Sequence, residues 1–374
     1  MPRRSRREAI HQKIQSLVAS DPVEAAQIVG LQYVSDDSPG IRREQRRKNK
    51  FIYIGLDGNI IRDQKEIDRI QSLAIPPAYR DVWICPLANG HLQATGRDAK
   101  GRKQYRYHPL WRTVRDQTKF TRMIIFSQSL PTIREHITQD LALPGLPKRK
   151  VLAAVIKLME LTKIRVGNEE YARTNQSYGL TTMQDEHVDI QGAKIRFCFR
   201  GKSGVEHEIE LNDRKLSKII KKCQDIPGQD LFQYIDEEEQ HQTINSSDVN
   251  EYLKEISQQE FTAKDFRTWA GTVLAATQLA EMELCSSETA AKKNITQATK
   301  AVAHHLGNRP ATCRKYYIHP AILEAYLDKT FHKTMEQYRQ IIVDDIHALR
   351  PEELAVVALL EKQIIQELEQ KVAS

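Results

Sequence analysis

At 374 residues the chain has room for two domains and a full hydrophobic core, so no disulfide or metal staple is needed for folding. Lys and Arg outnumber Asp and Glu by 56 to 49, and the resulting formal charge of +7 favours a polyanionic partner. The five cysteines, Cys85, Cys198, Cys223, Cys285 and Cys313, are odd in number and never form a CxxC pair, which speaks against a disulfide framework or a zinc site and fits a reducing cytosol. The arginine-rich start lacks the apolar segment of a signal peptide and no run approaches a membrane span, so a cytoplasmic protein without membrane contact is expected.

Residues from about Arg7 to Val34 read as mostly helix, with Ile10, Ile14, Leu17 and Val18 on one face. The charge run from Arg42 to Lys50 reads either as a solvated loop or as a contact to phosphates. From Phe51 the pattern changes to short apolar alternations. Phe51 to Ile54 and Ile60-Ile61 flank Asp57-Gly58 as a hairpin, a helix follows from about Asp63 to Leu73, and strands are predicted at Val82 to Cys85 and His91 to Gly96 around the Asn89-Gly90 turn. The segment Arg97 to His108 then interleaves Lys100, Arg102 and Lys103 with Gln104, Tyr105 and Tyr107. Cations that hold phosphates alternate there with groups that reach base edges or sugars, although a solvated strand and loop would read the same way.

Around Trp111 to Phe126 the character becomes helical, placing a domain boundary near Gln117 and giving domains of 1–117 and 118–374. One interruption, Val188 to Leu211, holds two alternating runs joined by Gly201-Lys202-Ser203-Gly204, with Lys202 at the hairpin tip. Further helices are predicted from an N-cap at Asp248, from Thr268 to Leu284, from Asn294 to Leu306 and from Pro351 to Val372. Gly307 ends the run before it, and Pro310 suits the first turn of a short helix that stops before Pro320. A tyrosine on that helix beside Arg314 and Lys315 is a phenol in a positive field.

Four polar positions line up with this stretch: Arg165 in Thr162-Lys163-Ile164-Arg165-Val166-Gly167, Lys202 at its hairpin tip, Arg267 in Lys264-Asp265-Phe266-Arg267, and Asn308 nine residues before Tyr317. That order, with Ile75-Pro76-Pro77-Ala78-Tyr79 and Asp98-Ala99-Lys100-Gly101-Arg102 upstream, resembles the type IB DNA topoisomerases of the compact poxvirus and bacterial kind. The resemblance implies an α+β protein, a small β-rich N-terminal domain and a mostly helical catalytic domain clamping duplex DNA, acting as a monomer in the nucleoid. Tyr317, before Ile318-His319-Pro320, matches the family nucleophile, and Arg165, Lys202 and Arg267 match its catalytic cations. Tyr316 stands where the family usually has a small residue, and Asn308 stands where the poxvirus pattern has His and the bacterial one Asn. Gln104 and Tyr105 match positions that touch DNA in the poxvirus-like enzymes.

The chemistry fits these residues. Phosphodiester cleavage by tyrosine needs an in-line nucleophile, donors on the non-bridging oxygens and a proton for the leaving alkoxide. Arg165, Arg267 and Asn308 supply donors and Lys202 the proton, so neither metal nor cofactor is required. No general base for Tyr317 is evident. A tyrosine recombinase shares the Arg, Lys, Arg and Tyr roles but typically has a His three residues before the second Arg, where this chain has Lys264. A non-catalytic DNA-binding protein would need only the basic balance, not candidates at all five positions.

Overall fold

The structure is a computed structural model that describes residues 29–373 apart from 48–49, 100, 102, 284, 286 and 329, and residues 23, 26 and 27 ahead of them. Two compact units divide the chain, Met1–Arg122 and Met123–Ser374.

The first unit is built on one antiparallel sheet. Its elements are β1 (Ile41–Arg47), β2 (Lys50–Ile54), helix α1 (Gln64–Ser72), β3 (Arg80–Ile84), β4 (Leu92–Arg97) and β5 (Lys103–Tyr107), with strand order β2-β1-β3-β4-β5. Asp63 caps α1 by accepting the Lys65 N–H at 3.2 Å, and Ile70 of α1 packs against Ile41, Val82, Ile84 and Ala94. The run beginning at Arg42 is a strand rather than a loop, because β2 and β3 satisfy its backbone on both sides. Arg42 and Arg46 face solvent, whereas Arg43 turns inward, donating to the carbonyls of Ile75, Pro76 and Tyr79 at 3.2, 3.1 and 2.7 Å and stacking 4.3 Å over Phe51. The predicted hairpin at Asp57-Gly58 forms, though Ile60 makes only a single bridge to Ile54. The N-terminal helix reading falls largely outside the described residues. Its predicted end is corrected, since the chain turns at Gly30 (φ 73°) and Gln32 bridges Gly90.

Helix α2 (Pro109–Asp140) leads into the second unit, followed by α3 (Lys148–Thr162), α4 (Glu169–Asn175), β6 (Val188–Gln191), β7 (Lys194–Arg200), β8 (Glu206–Asn212) and α5 (Arg214–Gln224). Then come β9 (Gln233–Ile235), β10 (His241–Thr243), α6 (Ser246–Ser257), α7 (Ala263–Ala280), α8 (Glu288–His305), α9 (Pro310–Tyr316), α10 (Pro320–Leu327), α11 (Phe331–Arg339) and α12 (Pro351–Ala373). Val151 to Ile156, Leu158 and Met159 bury nearly every face of α3, which puts it at the centre of the unit. Buried Arg134 on α2 donates to Glu160 of α3 at 2.8 Å and to Glu353 of α12 at 2.8 and 3.0 Å, and Trp269 of α7 donates to Glu353 at 3.1 Å. Such charges are tolerable in a core only when paired this fully.

The small sheet β6-β7-β8 carries the predicted hairpin, with Ile195, Phe197 and Phe199 of β7 buried in strict alternation. Several details differ from the sequence reading: α7 runs from Ala263 to Ala280 rather than from Thr268 to Leu284, and α8 begins at Glu288, capped by Ser287, rather than at Asn294. Asn245, not Asp248, caps α6: its side chain accepts the N–H groups of Ser247 and Asp248, and the Asp248 carboxylate accepts the Asn245 N–H in return. The strand pair β9-β10 went unread because three residues per strand are too few to show a period. The architecture is α+β, as expected.

Candidate active site

Arg165 lies in the extended segment after α3. That helix ends because Lys163 takes a left-handed conformation (φ 62°), and the segment is fixed by the Arg165 carbonyl accepting the Leu180 N–H at 2.8 Å and the Val166 carbonyl accepting the Thr181 N–H at 2.6 Å. Asn308 is placed by the cap of α8. Gly307, at φ 57°, donates to the His304 carbonyl while the Asn308 N–H donates to the Ala303 carbonyl, the paired bonds of a left-handed helix cap. The two meet: Arg165 Nη2 donates to Asn308 Oδ1 at 2.6 Å and to the Gly307 carbonyl at 3.4 Å.

Arg267 sits on the buried face of α7, 5% exposed. Its Nη1 donates to the Lys163 carbonyl and its Nη2 to the Leu306 carbonyl at 2.6 Å, joining the end of α3 to the end of α8. The guanidinium carbon lies 5.5 Å from the centre of the Tyr317 ring. Tyr317 is the C-cap of α9, with its N–H donating to the Cys313 carbonyl at 2.9 Å and its carbonyl accepting from Thr272 Oγ1 at 3.2 Å. A Cβ on Gly271 would come within 2.6 Å of the Tyr317 carbonyl oxygen, so α7 seats the tyrosine only by having glycine there.

Burial raises the Tyr317 phenol, but the charges of Arg267 and Arg165 and the donors both present to it outweigh burial and leave it below the ordinary tyrosine range. Arg267 is itself pushed down to about 10 by burial first and Arg165 second, against the pull of the phenol; it stays charged at neutral pH. Two donors are left over. Asn308 Nδ2 and Arg267 Nε are buried with no hydrogen-bond acceptor among the described residues. Asn308 also eases downward the Cys313 thiol that burial raises. Unpaired buried donors are costly, so their place at this site points to an acceptor supplied from outside.

Lys202 occupies the tip between β7 and β8, closed by the Gly201 N–H donating to the Val205 carbonyl at 2.7 Å. It is exposed, its Nζ 6.0 Å from the Tyr171 ring, and lines one recess with Arg165, His207 and Arg267. Thus Arg165 bonds Asn308 and, with Arg267, acts on Tyr317, while Lys202 lines the recess that the two arginines share. His304 and His305 are both exposed, and His305 Nδ1 bonds the Ala301 carbonyl at 3.0 Å. Sequence reading overlooked His207. The signal was its place on the same strand face as Ile209 and Leu211, between exposed glutamates.

In the first unit, Lys103 pairs with Asp36 at 2.6 Å and Gln104 Nε2 donates to Asp98 at 3.1 Å. The Tyr105 and Tyr107 rings stack 6.0 Å apart, with Tyr105 46% exposed. Lys100 and Arg102 lie outside the described residues.

Residues 108–342 match the family described as eukaryotic DNA topoisomerase I, catalytic core, and residues 50–98 match the bacterial DNA topoisomerase IB N-terminal domain. DNA topoisomerase 1B of Acanthamoeba polyphaga mimivirus is 35% identical over 294 residues, covering 77% of this chain and 87% of that protein. DNA topoisomerase 1B of Vaccinia virus (strain Copenhagen) is 23% identical over 297 residues, covering 76% and 91%. With its catalytic core and its N-terminal segment matching the same kind of enzyme, the chain belongs to the compact type IB DNA topoisomerases.

Proposed function

We propose that Tyr317 is the nucleophile of this topoisomerase, that Arg165, Arg267 and Asn308 hold the non-bridging oxygens of the scissile phosphate, and that Lys202 protonates the leaving strand. The activity is that of the family: relaxation of supercoiled duplex DNA by transient cleavage of one strand and religation, without ATP or a required metal. In the cleavage step the Tyr317 oxygen bonds the phosphorus, the bond to the 5′-oxygen breaks, and that oxygen takes its proton from Lys202, leaving a 3′-phosphotyrosyl link and a 5′-hydroxyl. Resealing is the reverse. The observation that most supports these roles is the pair of unpartnered buried donors, Asn308 Nδ2 and Arg267 Nε, beside a phenol whose acidity two guanidinium groups raise.

We extend the proposal to a monomer acting on duplex DNA of the nucleoid in the cytoplasm, with Lys103, Gln104, Tyr105 and Tyr107, and beyond the described residues Lys100 and Arg102, touching the DNA. Tyr317→Phe should abolish denaturant-trapped protein–DNA adduct while leaving non-covalent binding intact, and Tyr316→Phe should remain active in plasmid relaxation with chelator present. The opposite pattern would move the nucleophile by one residue.

A further inference from the structure

The hairpin that carries Lys202 and the turn that carries Asn308 are far apart in sequence, and one imidazole fills the space between them. On β8, His207 pairs with Phe199 of β7 and stacks on its ring at 5.0 Å between centres, with the planes 15° apart. A Cβ on Gly201 would fall 2.6 Å from both Cδ2 and Nε2 of His207, and a Cβ on Gly307 would fall 2.4 Å from its Cε1. No real side chain tolerates such distances. The ring is therefore seated against two glycine backbones at once, one immediately before Lys202 and one immediately before Asn308, and the Gly307 carbonyl also receives Arg165.

We propose that His207 is a positioning residue that sets the Lys202 hairpin against the Gly307-Asn308 turn, so that the proton donor and the phosphate-holding groups meet the same phosphodiester. The proposal rests on the reading of Lys202 as general acid and Asn308 as phosphate donor. A wedge in this place works best uncharged. Burial first, then the charges of Arg165 and Arg267, hold the imidazole below its usual range, with Glu206 acting weakly the other way. The aromatic stack supplies shape, and the two glycines let the ring reach both backbones.

The test is single-turnover cleavage of an ordinary strand and of one with sulfur at the 5′-bridging position, whose thiolate leaves without needing a proton. His207→Ala should slow the ordinary strand by about 10- to 100-fold, as a displaced catalytic group does. The sulfur strand should stay within about threefold of the parent. Gly201→Ala, which empties no cavity but pushes on the ring, should give the same sulfur-selective defect. His207→Phe, which preserves the stack, should recover most of the ordinary rate. Combined with Lys202→Ala, His207→Ala should add little further loss, because the group it positions is already gone. Equal slowing of both strands, a His207→Phe variant as slow as His207→Ala, or losses that multiply in the double variant would each overturn the proposal. Should sulfur fail to rescue Lys202→Ala itself, the general-acid reading falls, and the additivity of the two substitutions still decides whether His207 acts through the hairpin.

Discussion

Asn308 performs two jobs that one substitution can separate. Its Oδ1 accepts from Arg165 at 2.6 Å, while its Nδ2 is buried with no acceptor among the described residues. Asn308→Ala removes both. Losing one preorganised donor costs on the order of 10²–10³ in rate, roughly 2.7–4 kcal/mol. Removing the bond to a charged partner adds up to about 1.5–3 kcal/mol, partly retained because the Gly307 carbonyl still faces Arg165 at 3.4 Å. A fall of about 10³ in single-turnover cleavage is therefore expected, with non-covalent DNA affinity little changed. Asn308→Asp keeps the size and the acceptor for Arg165 but points a carboxylate oxygen where the donor was. At neutral pH it should be at least as slow as Asn308→Ala, because an anion then faces the phosphate. Asn308→His should regain part of the rate together with a new protonation step near about 6.5, which an amide cannot supply. The assay is cleavage rate against pH for the parent and the three variants. An Asn308→Asp enzyme that cleaves normally at pH 7 would show that Nδ2 does not address the phosphate, and a crippled His305→Ala beside a healthy Asn308→Ala would displace the assignment altogether.

Arg165→Gln should move the rise of cleavage rate with pH to higher pH, since the phenol is an acid and its lowered value owes part to that cation; an unmoved inflection would detach Arg165 from Tyr317. Non-covalent binding should weaken steeply with salt, and Lys103→Ala should reduce the log–log slope by about 0.9, the share of a single phosphate. Arg43→Ala should leave that slope alone and lower the melting temperature, because the carbonyls of Ile75, Pro76 and Tyr79 lose their donor; the reverse pattern would return Arg43 to the DNA face. Burial opposes ionisation of Glu160, but Arg134 and Lys157 pull it down from the ordinary 4.5 to about 2. Its contribution is thus present above about 4.5 and lost as pH falls through about 2. Glu160→Gln should cost roughly 3–5 kcal/mol in denaturant titrations at pH 7 by leaving Arg134 underpaired, with the gap to the parent closing across that acid window; a gap independent of pH would refute the pairing.

The mostly helical character of the second unit, and the helices around Gly307 and Pro310, were legible because their apolar positions recur at helical spacing and Gly307, Pro310 and Pro320 punctuate them, while α3, α5, α10 and α11 were not separately read; β7 and β8 were legible because strict alternation can mean little else. The strand at Arg42 was not, since a run of charges looks solvated until β2 and β3 claim its backbone, and nothing local announces that Arg43 will pin a turn more than thirty residues on. The site divides the same way. The order of Arg165, Lys202, Arg267, Asn308 and Tyr317 is a property of the chain and could be read from it. That Arg267 would be spent on the Lys163 and Leu306 carbonyls, and that His207 would be trapped between two glycines, are properties of the packing.

That packing also addresses the step for which the sequence offered no residue, the loss of the Tyr317 proton. A fixed general base is one solution, but it must sit close to the phenol, where it would compete with the phosphate for the cations. Two guanidinium groups held by backbone carbonyls and by Asn308 lower the phenol instead, and they do so without adding negative charge where the proposed mechanism puts the phosphate. Because Arg267 is itself depressed by burial and by Arg165, an incoming anion relieves the cost of keeping its charge. The site is therefore set to gain most when phosphate and phenolate arrive together. On this account the proton passes to water as the DNA seats.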